Sequence, residues 1–217
     1  MSNIFSYDNK FFSAISKIVD AICVSGLWLL FSIPIFTIGA STTALYDTVH
    51  KSFVREHGYI WETFWESFKN NFKQATKLWG VFFVIYAVLA VDIDVMFYAL
   101  KANSPIGSMF YFFLIMAMFA FVWTIYTFAY CARFELNTKG ILKNGGLLAI
   151  ANLPWSFLIL LILLVGIIVV YIVPITLLVM PVGVTSLFNV ILEKVFRKIM
   201  SPEDLKAAKE DDWGIDK

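Results

Sequence analysis

Charge is what this sequence is short of. Asp, Glu, Lys and Arg make up 15% of its 217 residues while apolar residues make up 60%, where soluble domains carry about 25% charged residues. With a mean hydropathy of +0.78, the chain is not composed for water. Only two cysteines are present, so a disulfide-stapled secreted scaffold is excluded. The net charge of +1 provides no basic field, which argues against a nucleic-acid reader. Phosphate-loop, zinc-protease, C-x-x-C and nucleophile-elbow motifs are all missing. Neither an enzyme nor a nucleotide-, cofactor- or metal-binding chain is therefore expected, and any ATP-driven step would belong to another subunit. The two histidines, His50 and His57, lack a convergent ligand set and read as solvated loop residues.

What is abundant is long uncharged sequence. Crossing a hydrocarbon core of about 30 Å takes about 20 apolar residues. The uncharged gaps run over 21–46 (26 residues), 78–91 (14), 102–132 (31) and 144–192 (49). The first and third fit one helix each, the last fits two with a turn at Pro174, and the short one extends past Asp92 and Asp94 through 95–100. The pattern predicts an all-α integral membrane protein, a single membrane domain of five spans at about 20–41, 78–100, 106–132, 154–172 and 175–193, with a polar tail over 194–217. Pro34 is placed to kink the first span, and a re-entrant segment there would reverse the N-terminus alone. Asn152 followed by Pro154 reads as a capped helix start.

Lys and Arg stay on the cytoplasmic side. With the C-terminus inside, fourteen of them fall in cytoplasmic segments and three, Lys10, Lys17 and Lys101, fall outside. A multi-pass protein of the cell membrane with N-terminus out and C-terminus in follows. A cleaved leader ending near Gly39-Ala40-Ser41 is disfavoured by Asp8, Asp20 and Pro34 within it. Cys23 and Cys131 fall toward opposite membrane faces and are not expected to pair.

The first cytoplasmic loop carries a clear period. Trp61, Phe64, Trp65, Phe68 and Phe72 recur at i, i+3, i+4, i+7 and i+11, with Glu62, Glu66, Lys69 and Lys73 on other faces. An amphipathic helix over about 60–76 is expected, either an elbow lying on membrane lipid or a docking face for a partner. Asp92 and Asp94 are the carboxylates nearest to membrane depth: they either face a cavity, partner or ion path, or are wet because the span ends near Val91. Arg133 and Glu135 close the third span, where an Arg is ordinarily a snorkelling anchor.

The stretch 32–46, SIPIFTIGASTTALY, with Pro34, Thr37 and Gly39, followed by Phe64-Trp65, Phe68-Lys69, Asn71-Phe72 and Arg133-Phe134-Glu135, resembles the YesL-like family of small multi-span membrane proteins of Gram-positive bacteria. That family is described as a domain of unknown function, typically encoded beside carbohydrate importers of the ATP-binding cassette type. The resemblance implies a sugar-uptake context and assigns no catalytic residue. The expectation is an accessory membrane subunit bound to the permease subunits of such an importer. The alternatives are a membrane sensor partnering a two-component kinase and a small stand-alone transporter, the latter a tight fit for five spans with charges near one end only.

Overall fold

The structure, a computed structural model, describes residues 10–54 and 59–200, with side chains from residue 15 onward except that of Val54. Among the described residues every regular element is helical: α1 (Lys10–Ser32), α2 (Ile38–Thr48), α3 (Ile60–Lys101), α4 (Met109–Arg133), α5 (Thr138–Ala151), α6 (Leu153–Ile172) and α7 (Met180–Phe196). Short 3-10 turns occupy Ile35–Thr37, Pro105–Ser108 and Pro174–Leu178, and a π-helical turn occupies Val49–Val54. Four of these segments are long and apolar enough to cross a membrane: Ile15–Ser32, part of Ile60–Lys101, Pro105–Arg133 and Leu153–Ile172. This is the make-up of a multi-pass membrane protein. His57 and the tail from residue 201 lie outside the described residues.

The first and last expected spans are each divided. The first ends at Ser32, because Ile33 precedes a proline, which disfavours helical backbone, and Pro34 is extended (φ −74°, ψ 113°). The Thr37 hydroxyl lies 2.6 Å from both the Phe31 and Pro34 carbonyls and satisfies groups that the break set free. α2 then lies against the end of α1, where Trp28 Nε1 donates to Thr42 Oγ1 at 3.3 Å and the Ser32 and Ser41 hydroxyls meet at 2.7 Å. Nine of the eleven α2 residues are buried, so this helix belongs to the core and does not face lipid. Its hydroxyls bond back to their own helix, Thr43 to the Gly39 carbonyl and Thr48 to that of Ala44. At the other end, the expected span 175–193 is split into the Pro174–Leu178 turn and α7, 17 residues long.

The amphipathic stretch and the second span, expected as separate pieces, are one uninterrupted 42-residue helix, α3. No glycine or proline interrupts 60–79, and helix formers fill the junction around Lys77. The helix runs on through Asp92 (half-buried) and Asp94 (exposed) to Lys101. It stops in a Schellman turn: Asn103 is left-handed (φ 53°), its N–H donates to the Leu100 carbonyl, and the Ser104 N–H donates to that of Ala99. Asn tolerates this backbone better than most residues. Gly107 is obligatory just beyond, because a Cβ there would fall 2.5 Å from Leu100 Cα.

α4 returns antiparallel to α3. Rings of Phe82, Tyr86, Trp123 and Phe128 interleave between them, and the Tyr86 and Thr124 hydroxyls pair. α5 crosses α4 at close range through Gly145 and Gly146, where added Cβ atoms would lie 2.5 Å from Thr127 Oγ1 and 2.9 Å from Trp123 Nε1. Asn152 stands at the N-cap of α6, as expected, but its side chain caps nothing there. It donates instead to the Leu148 carbonyl of α5, and closes that helix.

Candidate functional site

Where α2 ends, three helices bring polar side chains together in a buried tie. Glu193 of α7 receives Arg133 of α4, with Nε 2.9 Å from Oε1 and Nη2 donating to Oε2 at 3.3 Å. The Tyr46 hydroxyl donates to the same carboxylate at 3.4 Å, and His50 Nδ1 lies 3.6 Å from it. Asn189, one turn before Glu193, is fully buried. Its amide nitrogen donates to the Thr185 carbonyl at 3.2 Å and the Tyr46 carbonyl at 3.5 Å, which leaves Oδ1 as acceptor for His50 Nδ1 at 3.0 Å. This orientation assigns the proton to Nδ1. Beside the tie, Lys51 and Asp47 pair at 2.9 Å.

Burial, and after it the charge of Glu193, holds the Tyr46 phenol well above the ordinary tyrosine range, so it stays a donor. Two assignments change as a result. Arg133 is a partner of Glu193 and no free snorkelling anchor, and His50 is 97% removed from solvent, no solvated loop residue. The π-helical turn over Val49–Val54 is the physical reason for the second. It carries His50 onward from the buried end of α2, toward α7. Such turns are frequent at functional positions.

Next to the tie lies an open cleft of about 570 Å³, lined by Asn70, Asn71, Gln74, Cys131 and residues 134–137. Gln74 donates to the Leu136 carbonyl and Asn71 to that of Ser67, while Asn137 accepts from the Gly140 N–H and caps α5. Glu135 is exposed, whereas Arg133, two residues before it, points into the tie. Thus the Arg133-Phe134-Glu135 stretch serves both features. Both cysteines are free, Cys131 buried and Cys23 exposed.

The aromatic candidates divide. Phe64 and Phe68 are buried against the chain's own Phe31, whose ring lies 6.0 Å and 5.1 Å from theirs. Trp65 and Phe72 are half-buried in the same cluster, and Trp61 alone is well exposed. The periodic face is therefore mostly spent inside the molecule, which leaves little of it for a partner or for lipid. Of the three residues from the 32–46 stretch, Pro34 and Thr37 build the helix break. Gly39 permits contact: a Cβ there would fall 2.6 Å from the Ala75 carbonyl oxygen, 2.8 Å from Trp79 Cβ and 2.9 Å from Phe128 Cε1. Asp92 and Asp94 lie elsewhere, far along α3 from the tie.

Residues 21–93 match the family described as "Protein of unknown function, DUF624". That match supports a DUF624-type protein. It takes in the helix break, Gly39, Tyr46, His50 and the α3 wall of the cleft, while Arg133, residues 134–137, Asn189 and Glu193 lie beyond it. No curated protein and no solved structure matches the chain.

Sequence reasoning missed Tyr46, Asn189 and Glu193. A signal was present: Thr185, Asn189 and Glu193 stand at i, i+4 and i+8 in a largely apolar helix and form one polar stripe.

Proposed function

We propose that the chain is an accessory integral-membrane subunit of the cell membrane, N-terminus out and C-terminus in the cytoplasm. In this reading it associates with the permease of a carbohydrate importer of the ATP-binding cassette type and supports or regulates sugar uptake. The resemblance to the YesL-like family supplies the sugar context. The observation that carries the reading is α3. At about 1.5 Å per residue its 42 residues extend about 63 Å, roughly twice the hydrocarbon core. One rigid rod thus joins a spanning segment to a body at the Lys- and Arg-rich end of the bundle, where the tie and the cleft lie. A subunit biases an importer's inward- and outward-facing states only through contacts that differ between them. A stiff rod joining a span to such a body is suited to transmit that difference.

The test is purification from native membranes in mild detergent with identification of co-purifying proteins, together with sugar uptake after gene deletion. Recovery of permease subunits and lowered uptake of one complex carbohydrate, with importer levels unchanged, is the expected result. Transport of that sugar by this chain alone in proteoliposomes, at the rate of the full system, would overturn it.

A further inference from the structure

The cleft has a chemistry that narrows its occupant. No Lys or Arg lines it, so a phosphate would find no counter-charge, and a single carboxylate, Glu135, is a poor cage for a hard cation. Phe134 is the one aromatic in the lining. It is half-buried and already stacks on Tyr130 at 4.4 Å with Phe196 edge-on at 5.6 Å, so it offers a sugar ring little platform. What the cleft does present is amide chemistry. Asn70, Asn71 and Gln74 form one wall; the Asn71 and Gln74 amide nitrogens already donate to Ser67 and Leu136 and keep their carbonyl oxygens as acceptors, while the Asn70 carboxamide, uncommitted among the described residues, matches the donor and acceptor of a peptide group.

The opposite wall is main chain. Residues 134–137 form no helix, and both ends are extended, Phe134 at φ −131°, ψ 133° and Asn137 at φ −68°, ψ 156°. Within it the Phe134 N–H, the Leu136 carbonyl and the Asn137 carbonyl are used, by Tyr130, Gln74 and Ile141. The N–H groups of Glu135, Leu136 and Asn137 and the carbonyls of Phe134 and Glu135 have no hydrogen-bond partner among the described residues. A non-helical segment that is extended at both ends and carries free main-chain groups can template strand addition.

We infer that this cleft is a binding site for an extended peptide segment of another protein, held by main-chain hydrogen bonds to residues 134–137 and to the α3 carboxamides, with a Lys or Arg of the peptide set against Glu135. A volume of about 570 Å³ is in the range of ligand clefts. The inference goes beyond the accessory-subunit reading and does not need the partner to be a permease.

The experiment uses the full chain in lipid nanodiscs and a phage-displayed heptapeptide library. Counter-selection is against the Asn70→Ala/Glu135→Ala double variant, whose two side chains are exposed and make no hydrogen bond among the described residues. A selected peptide is then synthesised with each backbone nitrogen methylated in turn, and its affinity is read by fluorescence anisotropy. Expected are basic peptides that weaken about tenfold or more on the double variant. Methylation should cost about tenfold, the scale of one lost hydrogen bond, at every second position and little between. Three results would each overturn the inference: no peptide surviving counter-selection, equal affinity for variant and parent, or methylation effects without a period of two. Co-purification of the permease is a separate readout, so failure here leaves the accessory reading standing, and the converse holds.

Discussion

Replacing Gly39 by Ala adds one methyl group at a point where three helices meet. The added Cβ would sit 2.6 Å from the Ala75 carbonyl oxygen, 2.8 Å from Trp79 Cβ and 2.9 Å from Phe128 Cε1. None of these is the free end of a flexible side chain: the first two are fixed by α3 itself, and the Phe128 ring is packed against those of Trp79 and Phe82. Relief therefore requires α2 to move away from α3 and α4. Overpacking of this kind typically costs about 1–3 kcal/mol, and three simultaneous clashes argue for the upper end. Alanine recovers up to about 1 kcal/mol of helix propensity, leaving a net loss of about 2 kcal/mol. At roughly 2–4 °C per kcal/mol for a chain of this size, the midpoint should fall by about 4–8 °C. Gly80→Ala is the matched control: it makes the same chemical change in a helix with nothing within 4 Å of the new atom, so it should be neutral or slightly stabilising. The assay is thermal unfolding of both variants in the same detergent, followed by size-exclusion fluorescence. A Gly39→Ala midpoint equal to or above that of Gly80→Ala would refute the close-packing argument for α2.

Removing one partner of the buried tie should cost more than removing both. Arg133→Ala leaves the Glu193 carboxylate without its cation and should lose about 3–5 kcal/mol, while Arg133→Met with Glu193→Leu should lose clearly less, both read by the same melting assay. In the aromatic cluster, Phe68→Ala empties a buried site against Phe31 and should cost about 3–5 kcal/mol, whereas the exposed Trp61→Ala should stay within about 0.5 kcal/mol. Equal effects at the two positions would contradict the division of that face. For topology, a single cysteine in place of Ser104 should react with a membrane-impermeant thiol reagent in intact cells and one in place of Ser201 should not; labelling of Ser201→Cys would reverse the proposed orientation.

Composition and the spacing of charges determined the class. Sixty per cent apolar residues with uncharged gaps of 26, 31 and 49 residues leave an all-helical membrane protein as the reading, and 106–132 and 154–172 lie within a few residues of the helices that form. These segments are legible because a helix in lipid satisfies its own backbone, so length and apolarity alone decide them. Pro34 and Pro174 marked both breaks for the same local reason. Local sequence could not say where the pieces go next. The α2 segment is as free of formal charge as a span up to Tyr46, but its Ser, Thr and Gly residues let it pack inside the bundle, and only contact with α3, α4 and α7 turns it into a core helix. The 60–76 period announced an aromatic face and not what would cover it, which proved to be Phe31 of the same chain. The tie and the cleft join residues 60 to almost 150 positions apart, Arg133 with Glu193, Tyr46 with Glu193, and Asn70 with residues 134–137. A single sequence carries no record of such distances. Tertiary packing decides them, because a buried carboxylate in a chain this apolar must find its cation and donors wherever the fold brings them.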